Sequence, residues 1–192
     1  RNLGMFGEAV EEYEKLVKDY PGKPELNYYL ADALSQEGEI GKAIDAYDAL
    51  ESSIGMNEAL SMQKYKLYNT LEQTDNAFKE VEKLAAKFPM ESRYQIILGD
   101  LHLEKNDTVN ALKYYQKAHE IDPGSPYYIV SMANYYEAVG NKEAAETQIR
   151  NALVNEKLDV DTKVGILSRY ILKLQQTKKG TESANTLFQA LL

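Results

Sequence analysis

Five alanines recur at a fixed step of 34 residues: Ala9, Ala43, Ala77, Ala111 and Ala145. Self-similarity at such a period is the mark of a repeat architecture, in which each unit is one small supersecondary element. Other columns keep the same step. Four residues after each alanine stand Tyr13, Tyr47, Val81, Tyr115 and Ile149; seven after stand Leu16, Leu50, Leu84, Ala118 and Ala152. Twelve after stand Pro21, Gly55, Pro89, Pro123 and Lys157, so chain breakers close four of the five units. Small, bulky and apolar residues at offsets of four and seven lie on one helical face.

Apolar residues step by three and four almost throughout, and no segment alternates as a strand would. The breakers predict helices at 7–20, 24–37, 41–53, 58–72, 75–88, 92–105, 108–121, 126–139, 142–155 and 160–177, with a last one from 181 to the end. In Asp122-Pro123-Gly124-Ser125-Pro126, one helix stops and the next starts with Ser125 as N-cap and Pro126 in its first turn. Gly38 and Gly140 sit in short turns inside two units, and Thr74-Asp75 and Asn106-Asp107-Thr108 supply caps in the others. Each unit is therefore a helix, a tight turn and an antiparallel second helix.

The chain resembles the tetratricopeptide repeat family. Residues 92–125 supply Leu98-Gly99, then Ala111, Tyr115, Ala118 and Pro123; residues 126–159 supply Met132-Ala133, Tyr136, Ala145 and Ala152; residues 24–57 supply Leu30-Ala31, Ala43 and Tyr47. The resemblance implies an all-α fold, an α-solenoid of stacked helix pairs wound into a right-handed superhelix. The domain expectation is a single array: a half repeat at 1–23, full repeats at 24–57, 58–91, 92–125 and 126–159, and an irregular last repeat at 160–192. That last unit is out of step, since Ala184, with Phe188 and Leu191, follows Ala145 by 39 residues. In 58–91 the apolar-small pair becomes Lys64-Tyr65, which predicts a looser helix pair there. The ends of the pattern suggest a piece of a longer chain, and its Lys-, Asn- and Tyr-rich usage is similar to bacterial members. Its compartment, cytoplasmic or envelope, is left open.

Composition narrows the function. A net charge of −8 disfavours nucleic acid and anionic lipid. With no cysteine there is no thiol chemistry or thiolate metal site. No apolar run reaches the ~18–20 residues of a membrane span. His102 and His119 lack converging ligands, which points to packing or surface roles and to no metal. No Gly-rich phosphate loop and no nucleophile-base arrangement stands out, so neither an enzyme nor a cofactor is expected.

What remains is surface. The resemblance implies that the first helices line a concave face where partner segments lie. Inward columns there read Tyr28, Met62, Ile96 and Val130, an apolar ladder; one turn later come Asp32, Lys66, Asp100 and Asn134; three residues before the ladder stand Glu25, Ala59, Arg93 and Tyr127, of which Arg93 and Tyr127 join the other eight. These ten residues are the candidate peptide-binding face, for a protein or peptide partner carrying basic and apolar groups. The competing reading has the ladder packed against neighbouring helices, and Tyr94, Tyr128 and Tyr135 read as core. Chaperone-tail binders of the family grip a C-terminal carboxylate with lysines, asparagines and an arginine. The matching places here hold Tyr28, Asp32, Gln63, Arg93 and Ile97 or, one unit on, Met62, Lys66, Ile97, Tyr127 and Ser131, so that ligand is disfavoured. The expectation is thus a non-catalytic interaction scaffold. The alternative is a structural or assembly spacer of a larger, envelope-associated protein, working through end-to-end contacts or its convex face.

Overall fold

The computed structural model describes residues 3–177, with side chains over 6–172. Described residues form ten helices and no strand: α1 (Leu3–Asp19), α2 (Leu26–Glu37), α3 (Ile40–Ile54), α4 (Glu58–Thr70), α5 (Thr74–Lys87), α6 (Ser92–Glu104), α7 (Thr108–Ile121), α8 (Pro126–Ala138), α9 (Lys142–Val154) and α10 (Val160–Thr177). The expected helix over 181–192, with Ala184, Phe188 and Leu191, lies outside them. Two differences from the expected boundaries have local causes. The α1 helix runs through Gly4 and Gly7, which helices tolerate at a modest entropic cost. The α2 helix starts after Pro24, because residues 23–28 first make a tight turn of i→i+3 hydrogen bonds.

The chain forms two compact units, residues 1–87 and 88–192. In the first, α2 pairs with α3 and α4 with α5, and α1 packs on α2; in the second, α6 pairs with α7 and α8 with α9. The alanine column makes these pairings possible. Ala43, Ala77 and Ala111 are wholly buried, Ala145 nearly so, and Tyr47, Val81, Tyr115 and Ile149 are buried one turn on. Gly99 shows how close the approach is: a Cβ there would run into the Tyr115 ring.

The turns within the pairs repeat as faithfully as the core. In each, an N–H just past the helix bonds a carbonyl five residues back: Glu39 to Leu34, Gln73 to Tyr68, Asp107 to His102 and Asn141 to Tyr136, at 2.8–2.9 Å. This Schellman closure requires a left-handed residue just before the donor. Those residues are Gly38 (φ 92°), Glu72 (φ 56°), Asn106 (φ 59°) and Gly140 (φ 78°). Side-chain caps then start the next helices, with Asp107 accepting from the Asn110 N–H and Asn141 from the Ala144 N–H.

The Lys64-Tyr65 pair stands on α4 where that helix pairs with α5. Lys64 occupies the column of Leu30, Leu98 and Met132, and it is as buried as they are, at 1% exposure. Its ammonium donates to Asp48 at 2.8 Å and Glu51 at 2.6 Å, and lies 3.2 Å from Glu80. Lys83 reinforces the cluster at 2.9 Å from Glu80. Burial alone would lower the Lys64 pKa. The hydrogen bonds to Asp48 and Glu51 and the charge of Glu80 outweigh it and hold the lysine above its ordinary range.

Candidate functional site

In the first unit, α2 turns two adjacent rings to solvent, Tyr28 at 37% and Tyr29 at 51% exposure. Neither is loose. Tyr29 stacks on Tyr13 with centroids 5.9 Å apart, and Tyr28 stands edge-on to Tyr29 at 5.9 Å and to buried Tyr47 at 5.8 Å. Such offset and edge-to-face contacts orient the rings as well as stabilising them. Burial, with the nearby Tyr28 and Asp32, pushes the Tyr47 hydroxyl up to about 12. Asp32 is exposed and accepts from the Gln36 amide at 2.8 Å. On α4, Met62 is half-buried and Lys66 exposed. Beside the two tyrosines opens a cavity of about 320 Å³, lined by Glu25, Tyr28, Tyr29 and Asn57 with Leu50, Ile54, Ala59 and Leu60.

The second unit treats the same columns differently. Arg93 is exposed, lies 4.9 Å over the Tyr94 ring and sits 3.5 Å from Glu91. Ile96 is buried at 5% exposure, so its side chain packs inside the unit and offers no surface. Asp100 is drawn inward: it accepts from the Tyr115 hydroxyl at 2.7 Å and from Ser131 at 3.2 Å, tying α6 to α7 and α8. Burial pushes the Asp100 carboxyl above its usual range, against the two hydrogen bonds that favour its ionised form. Tyr127 is 55% exposed. Val130 and Asn134 line a second cavity of about 210 Å³, with Ala133, Glu137, Ile166, Arg169 and Tyr170 among its walls.

The apolar ladder is therefore uneven: Tyr28 is exposed, Met62 and Val130 are half-buried, and Ile96 is enclosed. Tyr29 and Ile54, neither of them among the sequence candidates, are large and exposed beside the first cavity. The Tyr28-Tyr29 doublet was the available signal, because adjacent helical positions cannot both face one core. Of the tyrosines read as core, Tyr94 is enclosed at 1% exposure, and Tyr128 and Tyr135 are half-buried.

Both histidines stack on tyrosines, His102 on Tyr114 at 5.2 Å and His119 on Tyr128 at 4.8 Å. His102 also meets Asp107 at 3.0 Å. Among the described residues no group of three or more histidine, aspartate or glutamate side chains is placed to hold a metal ion. No helix among them is long and apolar enough to cross a membrane.

Antiparallel helix pairs repeated at a constant step, with small residues at each crossing, define a helical-repeat protein of the solenoid class. The tetratricopeptide repeat family pattern matches residues 1–57 and 70–126, and the chain belongs to that family. It is 32% identical over 130 residues to cellulose synthase operon protein C of Pseudomonas fluorescens (strain SBW25). That match takes in 66% of this chain but spans only a tenth of the relative's length. The fold is similar to a tetratricopeptide repeat protein from Parabacteroides merdae ATCC 43184, with TM-score 0.70 and 17% identity, over 98% of this chain and 79% of that one. It is also similar to MamA from Desulfovibrio magneticus RS-1, with TM-score 0.64 and 19% identity, over 80% of this chain and 87% of that one.

Proposed function

We propose that this protein is a non-catalytic scaffold that holds a segment of a partner protein against the faces of its first helices. The observation that carries this reading is the pair of exposed, orientationally fixed rings, Tyr28 and Tyr29, beside an open apolar cavity. Exposed aromatics that have already lost their conformational freedom are the side chains best suited to anchor a partner. Met62, Lys66 and Asp32 on the same unit, and Arg93, Tyr127, Val130 and Asn134 on the other, supply further apolar contacts and charges that fix register. Ile96 and Asp100 serve the packing that holds these faces. The net charge of −8 favours a partner segment with basic and apolar residues.

The test is capture of partners by the 192-residue chain, read by mass spectrometry, against Tyr28→Ala/Tyr29→Ala and Ile96→Ala. The tyrosine pair should lose the captured partner with helical content and melting nearly unchanged. Ile96→Ala should lower melting. Retention of every partner by the tyrosine variant would overturn the reading. A second reading, an assembly or spacer module, is favoured by α10, where Val160, Val164 and Leu172 are each more than half exposed. It would be supported if removing those three side chains, and not the tyrosines, abolished capture.

A further inference from the structure

Resting on the scaffold reading, we infer that the cavity beside Tyr28 and Tyr29 is a subsite for one arginine side chain of the bound segment. Three features select that chemistry. The floor and wall are aliphatic, with Leu50 and Leu60 buried and Ile54 exposed at the side, which suits the methylene stem of a long residue. Two tyrosine rings line it too, touching each other edge to face at 5.9 Å and 87°, so a flat cation in the cavity lies against their exposed aromatic surface rather than between them. Glu25, exposed to solvent, also lines the cavity, and no lysine or arginine among the described residues is paired with it.

An aliphatic side chain would fill the floor but would strip water from Glu25 without replacing it. An anionic group would meet Glu25 and the surplus negative charge of the chain. A cation on a long apolar stem satisfies both parts of the site. Guanidinium fits better than ammonium, because it is planar, stacks on aromatic faces and donates two parallel hydrogen bonds to one carboxylate. At about 320 Å³ the cavity is at the small end of ligand pockets, room for one long side chain. Because Tyr13 and Tyr47 already fix the two rings, little further ordering accompanies entry.

The experiment titrates the whole chain with two capped pentapeptides, Ser-Leu-Arg-Leu-Ser and its counterpart with citrulline, the neutral isostere of arginine. NMR follows the Tyr28 and Tyr29 ring signals and the Ile54 methyls. The arginine peptide should shift these signals saturably, and the citrulline peptide should bind about tenfold more weakly. Glu25→Gln should remove most of that difference, with helical content unchanged. Equal binding of both peptides at these residues would overturn the arginine assignment and leave the scaffold reading standing. No shift at these residues with either peptide would also overturn the subsite, while partner capture by the tyrosine pair is decided by the separate experiment above.

Discussion

Replacing Lys64 by methionine restores the apolar character of its column, yet it should destabilise the first unit. Leu30, Leu98 and Met132 hold the equivalent places, so repeat logic alone predicts a gain. The cluster around Lys64 predicts the opposite. One ammonium at 1% exposure serves Asp48, Glu51 and Glu80 from α3 and α5, and one oxygen each of Glu51 and Glu80 is buried without a hydrogen-bond partner even so. Removing one member of a buried ion cluster costs about 3–5 kcal/mol, since it leaves uncompensated charge. The low end, about 3 kcal/mol, applies here, because Asp48 is half exposed and Lys83 stays 2.9 Å from Glu80 and 3.8 Å from Glu51. Lys64→Met/Glu80→Met removes both the cation and its most enclosed partner, and should return to within about 1 kcal/mol of the parent. Hydrogen exchange suits the measurement, because repeat units open locally and a global unfolding midpoint averages over them. Amides of α4 and α5 should lose protection about a hundredfold in Lys64→Met and recover in the double variant, with α8 and α9 unaffected. A neutral or stabilising Lys64→Met, or a double variant as unstable as the sum of the single changes, would refute the view that the carboxylates need this lysine.

The left-handed turn column offers a change in the other direction. Glu72 holds φ 56° where Gly38 and Gly140 stand, and an L-residue in that region costs about 1–2 kcal/mol, partly offset by the ~0.5–1 kcal/mol entropic penalty of glycine. Glu72→Gly should therefore stabilise the α4–α5 pair by roughly 0.5–1 kcal/mol in the same exchange assay, and a loss of protection would contradict the turn argument. Asp100 gives a pH signature. Its folded pKa lies above the ordinary 3.8, so the native state holds the proton more readily. Its contribution to stability is full below 3.8 and declines as pH rises through the raised value. Asp100→Asn keeps an acceptor for Tyr115 and turns a donor to Ser131, so it should be neutral or stabilising at pH 7 and abolish that decline. Asp100→Leu strands the Tyr115 hydroxyl and should cost about 1–3 kcal/mol. Both comparisons are made by urea denaturation from pH 3 to 8.

What the sequence exposed and what it hid divide along one line: whether a residue acts through the backbone period or through a neighbour on another helix. The alanine column, the bulky residue four places on and the helix boundaries depend on spacing within a helix, and they are legible because spacing is local. The left-handed column was legible in principle too, since Gly38, Glu72, Asn106 and Gly140 share the step of the alanines. Only Glu72 stood outside the expected turn residues, because glutamate carries no turn signal of its own. Lys64 is different. Its burial depends on Asp48 and Glu51, which precede it by 16 and 13 residues, and on Glu80, on the two adjoining helices. No periodicity reports that three carboxylates converge on one point. The face columns fail for the same reason. Tyr28 and Ile96 occupy the same repeat position, yet one is 37% exposed and the other 5%, because the side chains set around each position vary from unit to unit. Asp100 sits where Asp32 does, but the Tyr115 hydroxyl donates to it and it is partly buried, while exposed Asp32 finds only Gln36 on its own helix. A repeat thus specifies where a side chain starts, and its neighbours decide whether it reaches solvent. In the first unit the neighbours leave Tyr28 and Tyr29 both fixed and open, and the proposed scaffold reading rests on that combination.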